Sequence, residues 1–213
     1  MQRGKADFGL LLVGMLWGLG FVFVKIGLNE GITPFYLLTI RFLVAFIILF
    51  IIFRSRLKNI EKLDLKNGFI IATFLFLGFA FQISGAALTT ASNNAFFTAI
   101  NVIIVPYIFW AIHKHVPNIF SFIAAGLCIL GVGVLSFDSK MQFNQLNEGD
   151  ILTIISALFF AFHIAFTGFL STKSEPIKLN VIQMGFASAY SLIALMILKN
   201  SFSGFSLNIS AHF

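Results

Sequence analysis

Apolar stretches close to twenty residues long recur from one end of this chain to the other, each closed by a short polar break. A helix of about 20 residues rising ~1.5 Å each matches the ~30 Å hydrocarbon layer of a bilayer, so the pattern predicts repeated membrane crossings. A buried soluble helix needs only about 10–14 such residues, and a transmembrane barrel needs alternating polarity, which "AFIILFIIF" and "GLCILGVGVL" lack. Composition agrees: 59% of the residues are hydrophobic and 10% charged, too few charges to wet a soluble surface. The expected fold class is therefore all-α, a polytopic membrane helix bundle.

Hydropathy and the polar breaks predict seven transmembrane helices, near 8–28, 35–53, 68–88, 94–112, 119–137, 151–170 and 180–198. The stretch from Lys199 to Phe213 reads as too short and polar for an eighth. Pro34, Pro117 and Pro176 fall in breaks or first turns, where a missing amide costs little, whereas Pro106 lies inside span four. The N-terminal apolar run is longer than a signal-peptide core and reads as a retained helix. Cys128, the single cysteine, sits in an apolar run and reads as a small packing residue.

Lysine and arginine favour the cytoplasmic side of short loops. With the N-terminus inside, that side holds Arg3, Lys5, Arg54, Arg56, Lys58, Lys62, Lys66, Lys114, Lys173 and Lys178; the other holds only Lys140 and Lys199. The expected topology is N-terminus cytoplasmic and C-terminus outside, in a plasma membrane such as a bacterial inner membrane. The basic residues, spread between spans, read as topology signals and give no nucleic-acid patch.

Setting "DFGLLLVGMLWGLGFVFVKIGLNEGITPFYLLTIRFLVA" against "DILTIISALFFAFHIAFTGFLSTKSEPIKLNVIQMGFASA" pairs Asp7 with Asp150, Trp17 with Phe160, Pro34 with Pro176 and Arg41 with Gln183. Five spans separate the copies, and an odd number makes the second enter from the opposite face, as in the inverted repeats of many transporters. The chain at this point resembles the EamA-like family of the drug/metabolite transporter superfamily. The resemblance rests on the Trp17-Gly18 pair, on "PFYLLTIRFLVA" with Arg41, on "ALTTASNNAFFTAINVIIVPYIFWAI" with Pro106, on "AAGLCILGVGVLSF" with Gly126 and Gly133, and on "GDILTIISALFFAFHIAFTGFL". It implies a first five-helix repeat over 8–138 and a partial second repeat of two helices over 149–213. The family is built of two five-helix halves, so three helices are wanting here, and the resemblance implies either a piece of a longer carrier or a need for a partner chain. Many relatives end span four with a glutamate; this sequence has "HKHVPN".

Arg41 stands out among the candidate binding residues. It lies about 9 Å inside span two at ~1.5 Å per residue, at a helix N-terminal end whose dipole disfavours a cation. The predicted spans contain no Asp or Glu to pair with it. Three accounts stay open: contact with an anionic ligand group in a wet cavity, a structural polar contact, or snorkelling. Lys25, near the C-terminal end of its helix, reads first as a snorkelling residue. Trp17, mid-span, reads as packing or as a ring that stacks on substrate, and the resemblance tilts it to the latter. Gln82, Asn101 and Gln183 read first as interhelical hydrogen-bonding groups. His163 reads as an interhelical histidine or a proton relay. Gly14 with Gly18, and Gly126, Gly131 and Gly133, suggest close helix approach, and Pro106 a kink.

The expected function is secondary transport, by alternating access, of small metabolites or drugs, with export as the expected direction; the alternative is a non-transporting remnant or subunit. No G-x-x-x-x-G-K-[ST], H-E-x-x-H or G-x-S-x-G occurs, so neither ATP-driven transport nor intramembrane catalysis is expected, and no cofactor or metal is called for. The expected partners are the lipid bilayer, a small-molecule substrate and, if the chain is naturally short, a partner chain. A seven-helix retinal protein would need a lysine deep in a late helix, which Lys199 is not.

Overall fold

A computed structural model describes residues 2–114, 118–135 and 146–201. Pro117, Lys140 and the end of the fifth predicted span lie outside the described residues, as does the tail beyond Ser201. All regular structure among the described residues is helical: α1 (Gln2–Asn29), α2 (Pro34–Phe53) with a 3-10 turn (Arg54–Leu57), α3 (Lys62–Leu88), α4 (Ala91–Thr98), α5 (Asn101–His113), α6 (Ile119–Leu135), α7 (Glu148–Leu170) and α8 (Pro176–Ser201).

Among the described residues six segments are long and apolar enough to cross a membrane: Leu11–Asn29, Pro34–Leu57, Lys62–Leu88, Ala91–Ile112, Glu148–Leu170 and Pro176–Leu198. The remaining expected span, the fifth, corresponds to α6, whose 17 residues lie at the lower limit of a crossing helix. The chain is thus a multi-pass helical membrane protein. Several helices start earlier than hydropathy suggests, because their first turns are polar. In α3 the Glu61 side chain accepts from the third backbone amide while Asp64 reaches back to the Glu61 amide at 3.1 Å. In α7 the Asn147 side chain accepts from Asp150 N at 2.9 Å, and Asp150 Oδ2 from Asn147 N at 3.1 Å. Such reciprocal caps satisfy amides that have no intrahelical partner. The expectation that every acid lies outside the spans is therefore corrected: Asp64 and Asp150 are buried within helical first turns.

The fourth span is broken, but not at Pro106. The bonding tightens to three-residue turns at Ile100 N to Phe97 O (3.3 Å), Val102 N to Ala99 O (3.0 Å) and Ile103 N to Ile100 O (2.9 Å), dividing α4 from α5. Pro106 sits inside α5 without interrupting it. The physical reason lies in α4, which is tied to α3 by Asn94 Nδ2 donating to Gln82 O at 3.0 Å and Gln82 Nε2 donating to Thr98 Oγ1 at 3.1 Å. The tether ends at Thr98, and the tightened turns follow just after it.

The bundle is organised around α3. It packs antiparallel to α7, so that Ile71 lies with Leu170, Gly78 with Phe160 and Gly85 with Gly149. It runs parallel to α8, placing Gly68 at Ile182 and Thr73 at Tyr190. α2 packs against α8, with Phe46 against Gly185, and also reaches α3 through Phe42 and Phe79. Leu38, Phe42, Leu75, Ile83, Phe160 and Ala187 form the main core. Phe74 stacks on both Phe162 and Phe166, and Phe81 on Phe159 at 5.5 Å. By contrast α1 touches the bundle lightly, and none of its apolar window is buried.

Lipid offers no hydrophobic drive between helices, so close packing at small residues carries their association. Among the glycines that do this are Gly68, Gly78, Gly85 and Gly149. A Cβ on Gly78 would lie 2.8 Å from the Phe160 ring, and one on Gly85 2.7 Å from the Gly149 carbonyl oxygen. Gly14, Gly18 and Gly126, expected to serve close approach, face nothing within 4 Å. That expectation is corrected, since neither α1 nor this part of α6 meets a neighbour there; the surroundings of Gly131 and Gly133 lie outside the described residues.

Gly85→Ala and Gly149→Ala should each lower unfolding stability by at least about 1–3 kcal/mol, because backbone on the opposite helix cannot yield. Gly14→Ala should be near neutral. Thermal melts in detergent separate the two groups, and equal effects would refute the crossing as a close contact.

Candidate functional site

Arg41 occupies the face of α2 next to Phe42 and projects over α3. Its guanidinium carbon stands 4.5 Å from the centroid of the Phe79 ring. Phe79 is in turn held edge to face by Phe42 at 5.4 Å and by Phe160 at 4.9 Å. A cation over an aromatic face is stabilised by the ring quadrupole, by roughly 0.5–2 kcal/mol according to desolvation. Among the described residues no carboxylate or hydrogen-bond acceptor meets the guanidinium, and the one ion pair is Arg56 with Glu175 at 3.4 Å, at a loop surface. The side chain is exposed, and its planar fork of donors stays available for a carboxylate or phosphate.

The other predicted residues do not converge on Arg41. Gln183 is buried in α8, and its amide oxygen accepts from His163 Nε2, 2.9 Å away on α7, while its amide nitrogen donates to Asn180 Oδ1 at 2.9 Å. The Gln183 backbone sits at the Gly68 level of α3, whereas Arg41 sits at the Phe79 level, about 16 Å further along at ~1.5 Å per residue. The sequence pairing of Arg41 with Gln183 thus corresponds to no shared contact. Gln82 is engaged with Thr98. Asn101 begins α5, its side chain making no hydrogen bond to another described residue. Trp17 is 68% exposed on α1 and has no ring contact among the described residues. The packing reading of Trp17 needs a neighbour that its ring does not have among the described residues.

Lys25 also departs from its expectation. Instead of snorkelling, its ammonium donates to Ala86 O at 2.8 Å and Thr89 O at 2.7 Å, where the last carbonyls of α3 lack helical partners. Thr89 then donates its hydroxyl to Asp150 Oδ1 at 2.6 Å, and Asn94 Nδ2 bonds Thr153 Oγ1 at 2.8 Å. A polar node joins α1, α3, α4 and α7 at one end of the bundle. Phe79 and this node were not singled out from the sequence. The signal for the node lay in Asn147-x-x-Asp150, a capping spacing, and in the Asn93-Asn94 pair opening an apolar run. Among the described residues no three His, Cys, Asp or Glu side chains gather into a metal site. Lys25→Met should remove both bonds and lower unfolding stability by about 2 kcal/mol, the scale for hydrogen bonds from a charged donor. A denaturant melt unchanged from that of the original chain would show the contact to be idle.

What the arrangement offers is an intramembrane cation, Arg41, set on an aromatic platform. Comparison with known proteins agrees with a transport role. The EamA-like transporter family matches residues 4–137. An uncharacterized transporter from Archaeoglobus fulgidus is 35% identical over 179 residues, covering 84% of this chain and 54% of that protein. The chain therefore spans about half the length of this relative. No solved structure matches the chain. With more than half its length matched, the chain belongs to the EamA-like transporter family, a family of membrane transporters and not of enzymes.

Proposed function

We propose that the chain serves secondary transport of small metabolites or drugs by alternating access, in the outward direction, and that Arg41 binds an anionic group of the substrate. The observation that carries this reading is the Arg41 guanidinium resting on Phe79 with no acid beside it. A charge within a membrane span is costly unless it meets a partner, and intramembrane ionisable groups mark ligand pathways. The Phe42–Phe79–Phe160 cluster holds the platform rigid, which reduces the ordering cost of binding. Family membership supports transport, and the excess of basic residues at the α2–α3 and α7–α8 ends supports a cytoplasmic N-terminus in a plasma membrane. Opposite directions of α1–α2 and α7–α8 suit two inverted repeats that rock about a shared site.

A second reading, in which a partner chain completes the bundle, is favoured by α1. None of its apolar window is buried, and Gly14, Gly18 and Trp17 all face open space.

Arg41→Ala should cut transport of a carboxylate-bearing substrate in proteoliposomes by about tenfold or more, the loss of one charge-assisted hydrogen-bonding group, with membrane insertion unchanged. Arg41→Lys should recover part of it, since the charge returns without the fork. Full transport by Arg41→Ala would overturn the assignment.

A further inference from the structure

Five threonines lie inside the described helices. Thr39, Thr73, Thr98 and Thr153 donate their hydroxyls to the carbonyl four residues earlier, at 2.7, 2.9, 2.7 and 2.7 Å. That back-bond is the local way for a hydroxyl in an apolar helix to be satisfied. Thr167 in α7 departs from it. The carbonyl of His163 stands one turn behind, yet Thr167 Oγ1 is buried and meets no protein partner. An unsatisfied buried hydroxyl is a costly state that native structures avoid.

Thr167 lines a cavity of about 210 Å³ between α3, α7 and α8, together with Ile71, Ser171, Leu179, Asn180 and Gln183. The cavity lies at the turn from α7 into α8, the end of the bundle that also carries the Arg56–Glu175 pair. Its polar wall is uncharged. Gln183 spends its amide on His163 and Asn180, and Ser171 donates to Gly168 O at 2.9 Å. The Asn180 amide protons and the Ser171 oxygen lone pairs join the Thr167 hydroxyl as free hydrogen-bonding positions. An ion would find no countercharge here, and a lipid chain would leave these groups bare. Water fits both the chemistry and the size, since a water needs two to four polar partners and the volume admits several.

We propose that this cavity is a hydrated pocket, whose water satisfies Thr167 and extends the aqueous phase from the α7–α8 turn to the buried His163–Gln183 pair. The inference rests on the Thr167 geometry and holds whatever the chain transports.

Two variants of the full chain in membranes test it. In a Cys128→Ser background, Thr167→Cys should react with a small charged methanethiosulfonate, added at the α7–α8 turn side, more than about tenfold faster than Ala165→Cys, a buried control, because thiolate forms only where water reaches. Thr167→Val keeps the shape and removes the hydroxyl. If water occupies the pocket, the valine variant should melt at a lower temperature than the original chain. If the pocket is dry, the substitution relieves an orphaned hydroxyl and the melting temperature should hold or rise. Reactivity no greater than at Ala165→Cys, or a valine variant as stable as the original or more so, overturns the proposal.

Discussion

The crossing of α3 and α7 is the contact on which the rest of the bundle depends. At Gly85 and Gly149 the two backbones come close enough that neither position accepts a side chain. In a bilayer the solvent is as apolar as the helices, so surface burial alone does not hold them together; dispersion between closely packed surfaces and a few hydrogen bonds must. From this crossing α3 runs back along α7 through Gly78 and Phe160, and the same helix presents Gly68 and Thr73 to α8. Two helices are thereby fixed by one. Their register then places α2, with Arg41, against the ring of Phe79.

The polar chemistry of the chain is arranged so that hydrogen bonds replace ion pairs. Asp150 is satisfied by Thr89, Asn93 and the Asn147 amide, and Lys25 by two carbonyls. Thr89 connects the two through its carbonyl and its hydroxyl, so the acid and the base share a neighbour without needing contact. Each charge meets the helix terminus whose dipole suits it: the carboxylate at the start of α7 and the ammonium at the end of α3. Arg41 is the exception, with an aromatic face in place of a hydrogen-bond acceptor. This contrast separates it from Lys25, which hydropathy alone treats as a similar intramembrane cation.

Much of the architecture was legible beforehand. The helical class, the membrane setting and six of the seven expected crossings follow from segment length and apolarity, which are local properties. Helix starts were less legible, because the capping residues of α3 and α7 are as polar as a loop. Glycine was the least legible of all. Gly14 and Gly85 stand in equally apolar helices, yet only one meets a neighbouring backbone, and no local pattern distinguishes them. The break of the fourth span illustrates the same limit: Pro106 was the visible candidate, whereas the turn follows Thr98, where side-chain tethers to α3 end.

By itself the sequence determined that this chain crosses a membrane several times as helices, and it marked Arg41, Lys25, His163 and Gln183 as polar groups embedded in apolar segments. Length, hydropathy and charge do this because the energy of a single helix in lipid depends on its own composition. Only the tertiary structure decided what each embedded group meets. Lys25 closes the end of α3, His163 pairs with Gln183, Arg41 lies over Phe79, and the buried Thr167 hydroxyl meets no protein partner. Those outcomes rest on which helix faces which and at what height, and that register is set by close glycine contacts between segments distant in the chain.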